Sequence, residues 1–131
     1  MDDATVNLVN PKILIVEDNE NSEFLLRIIT KTFSNRILFA STGVQAVEIC
    51  RNNTDINLIL MDIKLPDLGG YDATRQIREF NKEVIIIAQT AFGLVGDREL
   101  AIEAGCDDYI AKPINIGELL ALLKKYFKGR N

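Results

Sequence analysis

Short apolar runs of strand length, each followed by a stretch with helical spacing, leave this chain few folds to adopt. KILIVE, RILFA, INLILMD, EVIIIAQT and DDYIAK recur between residues 12 and 112. They read as near-continuous apolar runs, and an exposed sheet face would instead show alternation. The intervening stretches carry helix signals. ENSEFLLRIITKTF places Phe24, Leu25, Ile28, Ile29 and Phe33 on one helical face. Thr42-Gly43-Val44-Gln45 is a capping-box pattern opening a helix through about Arg51. LPDLGG turns the chain through Pro66 and paired glycines before YDATRQIREF resumes a helix. Gly93 and Gly96 weaken the next helix, which is expected to settle around Asp97 and stop at a left-handed Gly105. Asn115, with Glu118 three residues on, caps a last helix through about Phe127.

Five βα units with right-handed crossovers predict a flavodoxin-like doubly wound (βα)5 sandwich of class α/β. Its five-stranded parallel sheet has the order 2-1-3-4-5, with helices on both faces. A chain of 131 residues, 47% of them apolar, fits one domain with a real core. Residues 1–11 read as an N-terminal tail or linker remnant, 12–128 as the domain and 129–131 as a C-terminal tail.

The net charge of −4 argues against a nucleic-acid partner. The basic residues Lys124, Lys125, Lys128 and Arg130 suit a solvated helix end, where cations complement the dipole. No apolar run approaches the roughly 18 residues of a membrane span, and MDDATVNLVNPK has neither a basic leader nor an apolar leader segment. A cytoplasmic protein without membrane contact is expected. Cys50 and Cys106 lack any disulfide or metal spacing and read as reduced, buried residues. Histidine is absent, which removes the commonest general base and the usual zinc ligand. Any histidine in the chemistry comes from a partner.

Four of the runs end on polar residues of different kinds: Glu17 and Asp18, Asp62, Thr90, and Lys112. Parallel strands would project them from one sheet edge into one crevice, where open α/β sheets bind ligands. Strands 1 and 3 flank the switch point, so Glu17, Asp18 and Asp62 converge there. Clustered carboxylates repel one another unless a cation neutralises them. All-oxygen ligation at few protein positions suits Mg2+, and no D-x-D-x-D-G loop for calcium is present. A carboxylate can also attack phosphorus once charge is screened. Asp62, at the end of the central strand, is the candidate nucleophile, with Lys112 supplying charge and Thr90 a hydrogen bond. Taken singly, Glu17 and Asp18 could be a solvated capping turn, Thr90 a hydroxyl satisfying its backbone and Lys112 a surface lysine. Their joint placement favours a site.

The ordered set ILIVEDN, LILMDIKLPDLGGYDATRQIR, IIAQTA and AGCDDYIAKPI resembles the receiver domain of two-component response regulators, the CheY-like superfamily, over Lys12 to Lys128. The wording of these motifs is similar to receivers of hybrid sensor histidine kinases. The resemblance implies that Asp62 is phosphorylated, and that Asp18, Asp62 and the Lys64 carbonyl bind Mg2+, with Glu17 reaching it through water. It implies that Thr90 and Lys112 contact the phosphoryl oxygens and that the Lys112-Pro113 peptide is cis. Thr90 and Tyr109 form the implied switch, and Asn19, Ser22 and Leu25 the implied docking surface for the histidine kinase or phosphotransfer protein that donates the phosphoryl group. A downstream protein target is implied as well. Lys64 and Phe92 fall where similar domains vary, and are expected to restrict water and lengthen the lifetime of the acyl phosphate.

On this reading the chain is a phosphorelay switch, not an enzyme, with chemistry confined to its own modification. The alternative is a Mg2+-dependent phosphatase or phosphotransferase with an aspartyl nucleophile. Such enzymes usually carry D-x-D, whereas this chain has Asp62-Ile63-Lys64. A flavin or nucleotide binder would need a phosphate loop after the first strand, and none is present. With no output domain after Lys128, the chain is expected to be a stand-alone receiver or part of a larger regulator.

Overall fold

Strand β3 (Leu58–Asp62) is buried along its whole length and is the centre of the sheet. The computed structural model describes residues 10–91 and 96–127. Around β3 stand β1 (Lys12–Val16), β2 (Arg36–Ala40), β4 (Ile85–Thr90) and β5 (Asp108–Ala111), all parallel, in the order β2-β1-β3-β4-β5. The helices are α1 (Glu20–Thr30), α2 (Gly43–Asn52), α3 (Gly70–Arg78), α4 (Asp97–Ala104) and α5 (Ile116–Tyr126).

The apolar runs are continuous because successive residues serve opposite layers. Leu14, Val16, Ile59, Met61, Ile86 and Ala88 pack with residues of α2, α3 and α4. Ile13, Ile15, Leu58, Leu60, Ile85 and Ile87 pack with residues of α1 and α5. Full burial of each such side chain contributes about 1.5–3 kcal/mol, so this sheet face pattern fixes the register of every strand.

Three expectations need correction. The buried face of α1 is Leu26, Ile29 and Thr30, continued by Phe33, at spacings of three and four residues. Phe24 and Ile28 are exposed, and Leu25 is half-buried. The expected face was rotated by about one position: Phe24 turns to the sheet edge, where the Arg27 guanidinium stands 5.8 Å from its ring and 5.2 Å from that of Phe39. Thr42 does cap α2 by accepting from the Gln45 N–H (3.0 Å). The reciprocal bond is displaced, because the Gln45 side chain accepts from the Ser41 N–H (2.8 Å) rather than serving Thr42. Finally, β2 is an edge strand with Arg36 and Phe39 exposed, not a doubly buried one. Elsewhere α4 begins at Asp97 and ends at Gly105, whose φ of 111° is left-handed, and Asn115 caps α5. Cys50 and Cys106 are free and buried. Phe92, Gly93, Lys128 and Arg130 lie outside the described residues. Among the described residues no helix is long and apolar enough to cross a membrane.

Candidate functional site

The carboxyl ends of β1 and β3, at the point where the strand order reverses, bring Glu17, Asp18 and Asp62 together. Each offers an oxygen, and these oxygens lie within 4.8 Å of one another. Glu17 and Asp62 are buried (2% and 3% exposed), while Asp18 is exposed. Lys112, just past β5, sets its ammonium 2.9 Å from Glu17 Oε1 and 3.1 Å from Asp62 Oδ2. The Lys112 N–H donates to the Thr90 carbonyl (2.7 Å), which ties the lysine to the end of β4. Its peptide bond to Pro113 is cis. Thr90 is buried at the same sheet edge.

Asp62 is held through both oxygens, with Oδ1 accepting from the Lys64 N–H (3.1 Å) and Oδ2 facing Lys112. Glu17 is likewise held, its Oε2 accepting from the Asn19 N–H (3.2 Å). Burial pushes the Glu17 carboxyl above its ordinary value; the Lys112 hydrogen bond opposes this, and the charge of Asp62 adds to the rise. Burial alone would depress the Lys112 ammonium, but the ion pairs with Glu17 and Asp62 outweigh it and hold Lys112 above its usual value. Two buried carboxylates thus share one ammonium. With Asp18, three negative charges face one positive charge, so the cluster carries a formal surplus of two that a divalent cation would neutralise. Hard oxygen donors from few protein positions are what Mg2+ accepts, and the residues present fit that ion.

The segment after Asp62, expected as a turn, is fixed by close backbone approaches and by a carboxylate clamp. A Cβ on Gly70 would come within 2.2 Å of the Asp62 carbonyl oxygen, and one on Gly43 within 2.2 Å of the Leu68 carbonyl oxygen. Asp67 accepts from the N–H groups of Gly43 (2.9 Å) and Val44 (3.1 Å), binding this loop to the start of α2. The Leu68 N–H, with those of Gly43 and Val44, holds the Asp67 carboxyl below its ordinary value. The signal in the sequence is the LPDLGG run itself, whose second glycine, Gly70, serves close approach.

Of the other expected residues, Ser22 and Leu25 line a depression of about 540 Å³ beside Lys112, Pro113 and Ile114. Asn19 is exposed, but its side chain caps α1 by accepting from the Ser22 N–H (2.9 Å). Tyr109 is half-buried and packs on the α2-α3-α4 layer. Lys64 is exposed.

A doubly wound sheet whose central strand ends in a lysine-paired carboxylate, backed by two more carboxylates, defines a phosphoacceptor signalling module. The chain belongs to the response regulator receiver domain family, which it matches over residues 13–124. It is 33% identical over 116 residues to the polar-differentiation response regulator DivK of Brucella anthropi, covering 87% of this chain and 94% of that protein. The receiver domain of sensor histidine kinase PA1611 from Pseudomonas aeruginosa, solved with a magnesium ion in its active-site cleft, is 38% identical at a TM-score of 0.78. That match covers 90% of this chain and 98% of the other. A co-crystal structure of the Saccharomyces cerevisiae phosphotransfer protein Ypd1 with the receiver domain of Ssk1 matches at 34% identity and a TM-score of 0.78, covering 85% of this chain and 84% of that one. The chain is thus a receiver domain of two-component signalling.

Proposed function

We propose that this receiver takes a phosphoryl group from a phosphohistidine of a histidine kinase or phosphotransfer protein onto Asp62. An Asp62 carboxylate oxygen attacks phosphorus, the P–N bond to the partner's imidazole breaks, and the bonding electron pair leaves with the ring nitrogen. The observation that carries this reading is the pair of contacts to Asp62: Lys64 N–H orients one oxygen, and Lys112 sets a positive charge beside the other. Asp18, Asp62 and the Lys64 carbonyl, with Glu17 behind them, would hold Mg2+, which would supply charge to screen the incoming group. Transfer through a loose transition state needs little beyond such alignment and neutralisation.

The donor protein docks over Ser22 and Leu25, where the depression beside Lys112 and Pro113 opens onto the site. Asn19 contributes by fixing the start of α1. Thr90 and Tyr109 carry the signal to a downstream protein, since an added phosphate charge is an adequate lever on a bistable element. Lys64 limits water at the acyl phosphate, and Lys64→Ala shortens its lifetime in a dephosphorylation assay. The same role is proposed for Phe92. The setting is the cytoplasm, and the chain's chemistry is directed at its own aspartate.

Intact mass after incubation with Mg2+ and a small acyl-phosphate donor tests the assignment. The wild type gains one phosphoryl group in a chelator-sensitive manner and Asp62→Asn gains none. An adduct of equal yield on Asp62→Asn overturns it.

A further inference from the structure

Residues 63–69 carry the chain from Asp62, at the end of β3, to Gly70, the first residue of α3. This connection is fastened at its base and at its tip. At the base the Gly70 N–H donates to the Ile63 carbonyl (3.0 Å) and the Ile63 N–H to the Gln89 carbonyl (3.1 Å). At the tip the two carboxylate oxygens of Asp67 accept separately from the Gly43 N–H (2.9 Å) and the Val44 N–H (3.1 Å). Those N–H groups belong to the first turn of α2, where a helix has no acceptors of its own for them. Thr42 serves only the Gln45 N–H there, so the loop supplies what the cap leaves open. Asp67 is exposed, and Leu65 and Leu68 on either side of it are only half-buried. The tip is therefore held by charge-assisted hydrogen bonds more than by burial.

Lys64 lies between base and tip, and its two backbone groups both serve the site. Its N–H donates to Asp62 Oδ1 (3.1 Å), and its carbonyl is the backbone oxygen that would hold Mg2+ under the proposed function. Its side chain is exposed and packs into neither layer, so the placing of this backbone falls to the fastenings around it.

We infer that Asp67 is a positioning residue of the phosphoacceptor site: by clamping the loop to the first turn of α2, it holds the Lys64 backbone in place beside Asp62 and the Mg2+ position. A loop already in place needs no ordering when the ion arrives, and the ordering cost avoided appears as affinity. Groups behind a metal ligand act in this way, and losing one weakens metal binding by about ten- to a hundredfold. Asp67 acts through the chain on Lys64 and touches no reacting atom. This inference rests on the reading of Asp18, Asp62 and the Lys64 carbonyl as the Mg2+ ligands.

The test is Asp67→Ala. Melting temperature is followed on titration with Mg2+, and phosphoryl gain from a small acyl-phosphate donor is followed separately against Mg2+ concentration. Half-saturation by Mg2+ is expected to move about tenfold higher in both readouts, while the rate at saturating Mg2+ returns toward that of wild type because the bound ion itself orders the loop. Asn57→Ala, which loses a hydrogen bond to Lys12 at the opposite end of the sheet, serves as the control for loss of stability alone. It should melt lower and keep the half-saturation of wild type. Equal half-saturation in wild type and Asp67→Ala overturns the inference and leaves Asp62 as phosphoacceptor. A shift in Asn57→Ala as large as that in Asp67→Ala also overturns it, since general loosening would then account for both. A wild type whose melting temperature does not respond to Mg2+ overturns the metal assignment and the inference together.

Discussion

The two ends of one sheet treat charge in opposite ways. At the amino ends of β4 and β5, Arg78 donates to the carbonyls of Gly105 (2.8 Å), Val84 (2.6 Å) and Asn81 (3.3 Å) and to Asp107 (2.9 Å). Asp107 in turn accepts from the Ile86 N–H (2.9 Å). Nearby, Asn57 and Lys12 exchange two hydrogen bonds of 2.8 Å across the first and third strands. Arg78 there has Asp107 as its opposite, and each nitrogen of the guanidinium has an acceptor. At the carboxyl ends, carboxylates outnumber the ammonium they share, and an amide is buried without a partner. One end holds the fold together. The other is left with more negative than positive charge, which on the proposed function an ion and a phosphoryl group complete.

The largest effect expected in breaking that contrast is at Arg78. Arg78→Ala strands several carbonyls and Asp107, and should cost about 3–5 kcal/mol in urea unfolding, with no recovery on adding Mg2+. Lys112→Ala removes the only cation seen among the described residues between Glu17 and Asp62, and should cost about 3 kcal/mol without metal. Here Mg2+ should restore part of the loss and stabilise the variant more than it does wild type. Equal responses of the two variants to Mg2+ would remove the distinction between the ends. Asn57→Ala, which loses an acceptor for the Lys12 N–H, should cost about 1 kcal/mol, independent of metal and of acyl-phosphate donor.

The smallest effect is electrostatic and separates the loop clamp from the cluster. The Asp67 carboxyl lies below its ordinary 3.8 in the folded protein, so its contribution to stability is present above that value and is lost as pH falls through the lower folded one. The difference in melting temperature between wild type and Asp67→Asn should be full at neutral pH and close as pH falls through the lowered value of the folded carboxyl. A difference unchanged across that window would show that the clamp does not depend on the carboxylate's charge.

Much of this was legible in the chain itself. Continuous runs such as LILM, between polar ends, dictate strands buried on both sides, and the order of acidic pair, aspartate, threonine and lysine places those residues at one sheet edge. The face of α1 was not legible, because Phe24, Ile28 and Ile29 are all apolar and only packing against β1 and α5 selects among them. Nor was Gln45's turn back to Ser41, which depends on where the preceding loop carries an open N–H.

The sequence by itself determined the layers, the strand register and the residue types at the sheet edge, since alternate side chains must each find an apolar layer and polar ones must end the run. Only the tertiary structure decided that Lys112 is shared between Glu17 and Asp62, that Gly43 and Gly70 admit the loop after Asp62, and that Gln89 is buried beside Asp62. These depend on distances between strands far apart in the chain, and pairwise electrostatics and steric fit are set by such distances rather than by residue type.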